Sequence, residues 1–139
     1  GRKNGKGFYD YDTKPKTLWA GLSDLAPVTI KDSTPELVED QKNRLLYRQA
    51  IEVARCWEEG VIDDPREADV GAILAWGFAP WTGGPITFID QTGLKAFVAK
   101  ADDYAARYGD RFQVPQLLRD MAAKGETFYG RFAPEKKAA

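Results

Sequence analysis

Proton transfer near neutral pH runs most often through histidine, and this chain of 139 residues has none. Any step that needs an imidazole must borrow it from elsewhere. The lone cysteine, Cys56, has no partner for an internal disulfide or a thiolate metal site, which fits a reducing compartment such as the cytoplasm and argues against zinc. It sits beside Val53 and Trp57 in a helical pattern, where a buried and inert thiol is expected. Glu58 and Glu59 are adjacent, so on a helix they point in different directions and form no acid–base pair. Asp63, Asp64, Glu67 and Asp69 could suggest a cation site, yet their positions suit helix caps and first-turn acids. No catalytic, cofactor-binding or metal-binding residue is assigned.

Two features could meet an anion. Gly83-Gly84-Pro85 could present helix N-terminal amides to a phosphate, although a tight turn is the commoner use of these residues. Arg2, Lys3 and Lys6 form a short basic cluster that either touches phosphates or is a solvated arm, and solvation is the preferred reading. Trp57, Trp76, Phe78 and Trp81 could present rings to a neighbouring domain, the alternative being plain core.

The elements that must position these residues are helical. Ser33-Thr34-Pro35-Glu36 offers an N-cap, a first-turn proline and a Glu placed to complete a capping box. Leu46, Ala50, Val53, Trp57 and Val61 then recur at steps of three and four, one face of a long helix that Gly60 closes, with Val61 placed to pack back near Cys56. Asp64-Pro65-Arg66-Glu67 repeats the start signal before Val70, Ile73, Leu74 and Trp76. The run from Gly77 to Pro85 reads as a turn rich in large aromatics. Pro85 opens a short helix to Gln91, Leu94 to Tyr108 forms a longer one on Leu94, Phe97, Val98, Ala101 and Tyr104, and a last one runs from about Pro115 to Lys124 on Leu117, Leu118 and Met121. No strand pattern competes, so the fold class is all-α. Residues 1–33 lack a sustained period and read as an arm or linker, with one helical domain over residues 34–139.

Composition bounds the function. A hydrophobic content of 43% supports one ordinary core. The formal net charge of -1 gives no global field for nucleic acid or anionic lipid. No stretch approaches the roughly 20 apolar residues of a membrane span. With Gly1 first and Met121 the only methionine, the native start is expected upstream. Lys6-Gly7-Phe8-Tyr9 is echoed by Lys124-Gly125 and Phe128-Tyr129, as if the arm were the tail of a preceding copy of the same domain.

The segment from Gly1 to Tyr11 resembles the end of the C-terminal helical domain of 3-hydroxyacyl-CoA dehydrogenases. The remainder resembles the second such domain of the multifunctional fatty-acid oxidation enzymes, through Arg44-Leu45-Leu46-Tyr47, the stretch from Glu52 to Val61, Glu67-Ala68-Asp69-Val70-Gly71, Gly77-Phe78-Ala79-Pro80 and Gly83-Gly84-Pro85. Ala79 departs from the family, which commonly has Pro there. The resemblance implies a helical fold like the C-terminal domain of 6-phosphogluconate dehydrogenase. It implies a parent that oxidises L-3-hydroxyacyl-CoA with NAD, through a His-Glu pair on a nucleotide-binding domain, and also carries an enoyl-CoA hydratase. This chain lacks both that pair and a Gly-rich dinucleotide turn, so it is expected to bind no NAD and to be inactive alone. Asn43-Arg44 falls where the first copy carries a substrate-contacting Asn and is taken as a relic. The implied partners are the nucleotide-binding domain, the preceding helical domain, on which this copy packs in place of the dimer partner of single-activity dehydrogenases, and a thiolase subunit; self-association of the isolated chain through an uncovered aromatic surface is a separate expectation. The alternative is a CoA-binding module using Gly83 and Gly84 or Lys3 and Lys6.

Overall fold

The computed structural model describes residues 3 and 7–132, and the chain divides into two compact units, Gly1–Leu37 and Val38–Ala139. In the first unit, β1 (Tyr9–Asp10) pairs antiparallel with β2 (Thr17–Leu18), Tyr9 opposite Leu18 and Asp10 opposite Thr17. Trp19 N donates to the Phe8 carbonyl at 3.0 Å, and the Thr13 hydroxyl to that of Asp10 at 3.1 Å. A single turn of helix, α1 (Leu22–Leu25), follows. This small hairpin corrects the expectation of no strand: two-residue strands are too short for alternation to show as a pattern. Phe8, Leu18, Leu25 and Val28 are all exposed.

Thr34, rather than Ser33, caps α2 (Pro35–Glu58), its hydroxyl accepting from Leu37 N at 3.2 Å. Glu36 therefore sits one position too early to close the expected box, and the backbone amide and Thr34 hold its carboxyl below the usual range. At the other end Gly60 adopts φ 73°, with Gly60 N donating to Trp57 O at 3.0 Å and Val61 N to Cys56 O at 2.9 Å. These two bonds make a Schellman motif. Only half of the Val61 expectation holds: its amide folds back onto Cys56, while its side chain is exposed.

The second unit continues with α3 (Pro65–Trp76), α4 (Pro85–Thr92), α5 (Leu94–Tyr108), α6 (Gln116–Lys124) and α7 (Phe128–Arg131), and with 3-10 turns at Pro80–Thr82 and Asp110–Phe112. The domain is all-α. Its core joins Tyr47, Ala50, Ile51, Val53, Ala54 and Trp57 of α2 to Ile86 and Ile89, to Phe97, Ala101 and Tyr104, and to Leu118, Met121 and Phe128. Tyr47 stacks on Phe97 with centroids 4.4 Å apart and meets Phe88 and Tyr104 edge-on at 5.5 Å. Burying each such ring contributes about 1.5–3 kcal/mol, so this cluster anchors α2 to α4 and α5.

Helix α3 departs from the sequence reading. It buries Pro65, Ala68, Asp69 and Ala72, whereas Val70 and Leu74 face outward, Leu74 being 79% exposed. Small residues let α3 approach its neighbours closely; Ile73 packs partly buried against Leu46, Ala72 and Phe78 as its spacing predicts, while Val70, Leu74 and Trp76 go to the other side. The closing helix α7 was missed, because it spans only one turn; Thr127 caps it by accepting from Gly130 N at 3.0 Å. Of the two echoed Phe-Tyr pairs, Tyr9 opens a strand and Phe128-Tyr129 open a helix.

Candidate functional site

The polar residues best defined by the structure are three carboxylates that each cap another helix. Asp69 of α3, buried at 3% exposure, accepts from Ile86 N at 2.7 Å and Thr87 N at 3.1 Å, from the Thr87 hydroxyl at 2.5 Å and from the Tyr129 hydroxyl at 2.9 Å. Asp90 of α4 accepts from Phe128 N at 2.8 Å and Tyr129 N at 3.0 Å, at the start of α7. Glu58 of α2 accepts from Leu117 N at 2.7 Å at the start of α6, while Arg55 donates to Gln113 O at 2.9 Å. A carboxylate at a helix N-terminus satisfies otherwise orphaned amides and meets the positive end of the dipole. Burial and the Asp69 carboxylate push the Tyr129 hydroxyl up to about 12.

This arrangement answers the question posed by Gly83-Gly84-Pro85. Gly83 and Gly84 take φ 81° and 115°, and a Cβ on Gly84 would lie 2.4 Å from that of Asp69, so only glycine fits there. Gly83 N donates to Pro80 O at 3.1 Å and Gly84 N to the Thr82 hydroxyl at 3.2 Å. With Ile86 N and Thr87 N on Asp69, the amides of this turn all have internal acceptors. The preferred reading of Gly83 and Gly84 as a tight turn matches this geometry, and the carboxylate at the helix terminus is the chain's own Asp69. Of the acidic cluster, Asp64 caps its own helix at 2.8 Å from Arg66 N, and the Arg66 guanidinium holds its carboxyl at about 2. Asp69 caps α4 instead, 17 residues away, which no local pattern could signal.

The four singled-out aromatics separate into two pairs. Trp57 and Phe78 are core: Trp57 packs edge-on to Phe128 at 5.5 Å, and Phe78 lies with Leu46 and Ala72. Trp76 and Trp81 are exposed at 55% and 76%, with Trp76 Nε1 donating to Gln49 Oε1 at 3.1 Å. Cys56 is half-buried rather than enclosed. Lys3 is exposed, and Arg2 and Lys6 lie outside the described residues. Asn43 donates to Glu39 at 3.3 Å, and the Arg44 guanidinium lies 3.8 Å over the Tyr108 ring. Among the described residues no helix is long and apolar enough to cross a membrane.

Fold and polar network together define an all-α helical domain in which carboxylates of one helix cap another, Asp69 from within the core. No protein-family model matches the chain. It is 39% identical over 129 residues to the fatty acid oxidation complex subunit alpha of Vibrio parahaemolyticus, covering 93% of this chain and 18% of the relative. The protein of that name from Shewanella amazonensis is 41% identical over 136 residues, covering 93% of this chain and 18% of that one. That from Pseudomonas savastanoi is 39% identical over 142 residues, covering 98% of this chain and 19% of the relative. The chain is thus a homologue of the small C-terminal part of fatty acid oxidation complex alpha subunits, spanning under a fifth of their length.

Proposed function

We propose that this chain is the non-catalytic second helical domain of a multifunctional fatty-acid oxidation enzyme, packed on a preceding helical domain as an internal dimer-like partner. The observation that carries the reading is the inverted α3: Ala68 and Ala72 face inward while Val70, Leu74 and Trp76 face out, and Trp81 of the following 3-10 turn is exposed as well. Outward apolar side chains in a piece that matches under a fifth of its relatives suit a contact with the rest of such a chain. The parent oxidises L-3-hydroxyacyl-CoA with NAD held on an upstream nucleotide-binding domain and also carries enoyl-CoA hydratase activity, in the cytoplasm, with a thiolase subunit as a further partner. This domain offers no histidine for proton transfer, and its buried carboxylate, Asp69, is engaged as the cap of α4.

Two measurements test this. Alone, the chain reduces no NAD with 3-hydroxyacyl-CoA; turnover in a clean preparation overturns the reading. Added to the Shewanella amazonensis relative from which the matched 18% has been removed, it binds, and Leu74→Asp weakens that binding at least about tenfold without unfolding the chain. An unaltered affinity removes α3 from the interface. Direct CoA contact through Gly83 and Gly84 is disfavoured, because their amides are taken.

A further inference from the structure

One cleft in the second unit is lined by Gln41, Arg44, Leu45, Arg48, Tyr108, Arg111 and Phe112 and encloses about 370 Å³. Three of these residues are arginines and none is acidic. Like charges gathered in one cleft repel, and they are ordinarily offset by facing carboxylates. Here the offset is incomplete. Arg48 pairs with Glu52 at 2.6 Å, but the same carboxylate oxygen is shared with Arg55 at 2.7 Å. Arg44 and Arg111 have no carboxylate within ion-pair distance among the described residues.

Arg44 is also held in place. Its guanidinium stacks on Tyr108, whose hydroxyl donates to Asp40 at 3.1 Å and accepts from Arg107 at 2.7 Å. Its Nε is buried without an acceptor. Stacking fixes the plane of a guanidinium and leaves its edge for a planar or tetrahedral oxyanion, the geometry at which Arg surpasses Lys.

We propose that this cleft is a phosphate-binding site, with Arg44 and Arg111 as the principal contacts, Arg48 as a third and Gln41 as a neutral donor. The inference is independent of the packing at α3, and each has its own readout. Titration of the 139-residue chain with inorganic phosphate, pyrophosphate and ADP, followed by calorimetry, tests it, with succinate as the carboxylate control. Pyrophosphate binds, and Arg44→Gln and Arg111→Gln each weaken it at least about tenfold, whereas Lys124→Gln, on α6, leaves it unchanged. Arg44→Lys keeps the charge but loses the fork and falls between. Tighter binding of ADP than of pyrophosphate points to a nucleotide-borne phosphate, and equal binding to the free anion; both support the site. Circular dichroism of each variant separates lost binding from lost structure. Absence of pyrophosphate binding, succinate binding equally well, or an equal loss in Lys124→Gln overturns the proposal.

Discussion

Tyr129 shows how one side chain records its surroundings. Its hydroxyl, donating to Asp69, is pushed up to about 12, first by burial and then by the neighbouring carboxylate; Tyr104 is raised to about 12 by burial and by Asp40. Both shifts favour the neutral phenol in the folded chain. Their stabilising contribution is therefore complete below the unfolded value near 10 and is lost as pH rises through about 12. Burial raises Tyr47 as well, so in an alkaline absorbance titration of the folded chain Tyr47, Tyr104 and Tyr129 should ionise late, and Tyr129→Phe should remove one late step. If no tyrosine ionises late, these hydroxyls are not in such environments.

Asp69 is one residue that couples three helices, since it belongs to α3, caps α4 and holds Tyr129 of α7. Asp69→Ala leaves buried amides and hydroxyls without acceptors and should cost about 2–4 kcal/mol in urea unfolding. Asp69→Asn keeps one acceptor oxygen and should cost clearly less. Equal losses for the two substitutions would show that volume, not acceptance, matters at this position. Placing caps on partner helices makes the ends of α4, α6 and α7 conditional on tertiary assembly. The four-residue α7 needs that support, because a helix of one turn is not stable on its own.

At the level of the whole chain, the two units each leave apolar surface in solvent: Phe8, Leu25 and Val28 in the first, Leu74 and Trp81 in the second. Such surfaces favour association, and a free preparation of this chain should self-associate as its concentration rises. Sedimentation velocity across a concentration series reads this directly, and Leu74→Asp should shift the distribution toward monomer. A concentration-independent monomer would mean that the exposed side chains do not form an adhesive face.

Helix identity was legible because its signals are local. Pro35, Pro65 and Pro85 start helices, Gly60, Gly109 and Gly125 end them, and the three-and-four spacing of Leu94, Phe97, Ala101 and Tyr104 marks a buried face. The relationship to fatty-acid oxidation proteins was legible for the same reason, as runs of adjacent residues. Periodicity failed for α3, where Val70 and Leu74 form a stripe that a pattern must read as core, while the side that packs carries alanines and a carboxylate. The partners of Asp69, Asp90 and Glu58 lie 17, 38 and 59 residues away, so only assembly could reveal them. Arg44, Arg48 and Arg111 converge for the same reason: helix formation depends on near neighbours, whereas a cleft depends on segments distant in the chain that packing brings together.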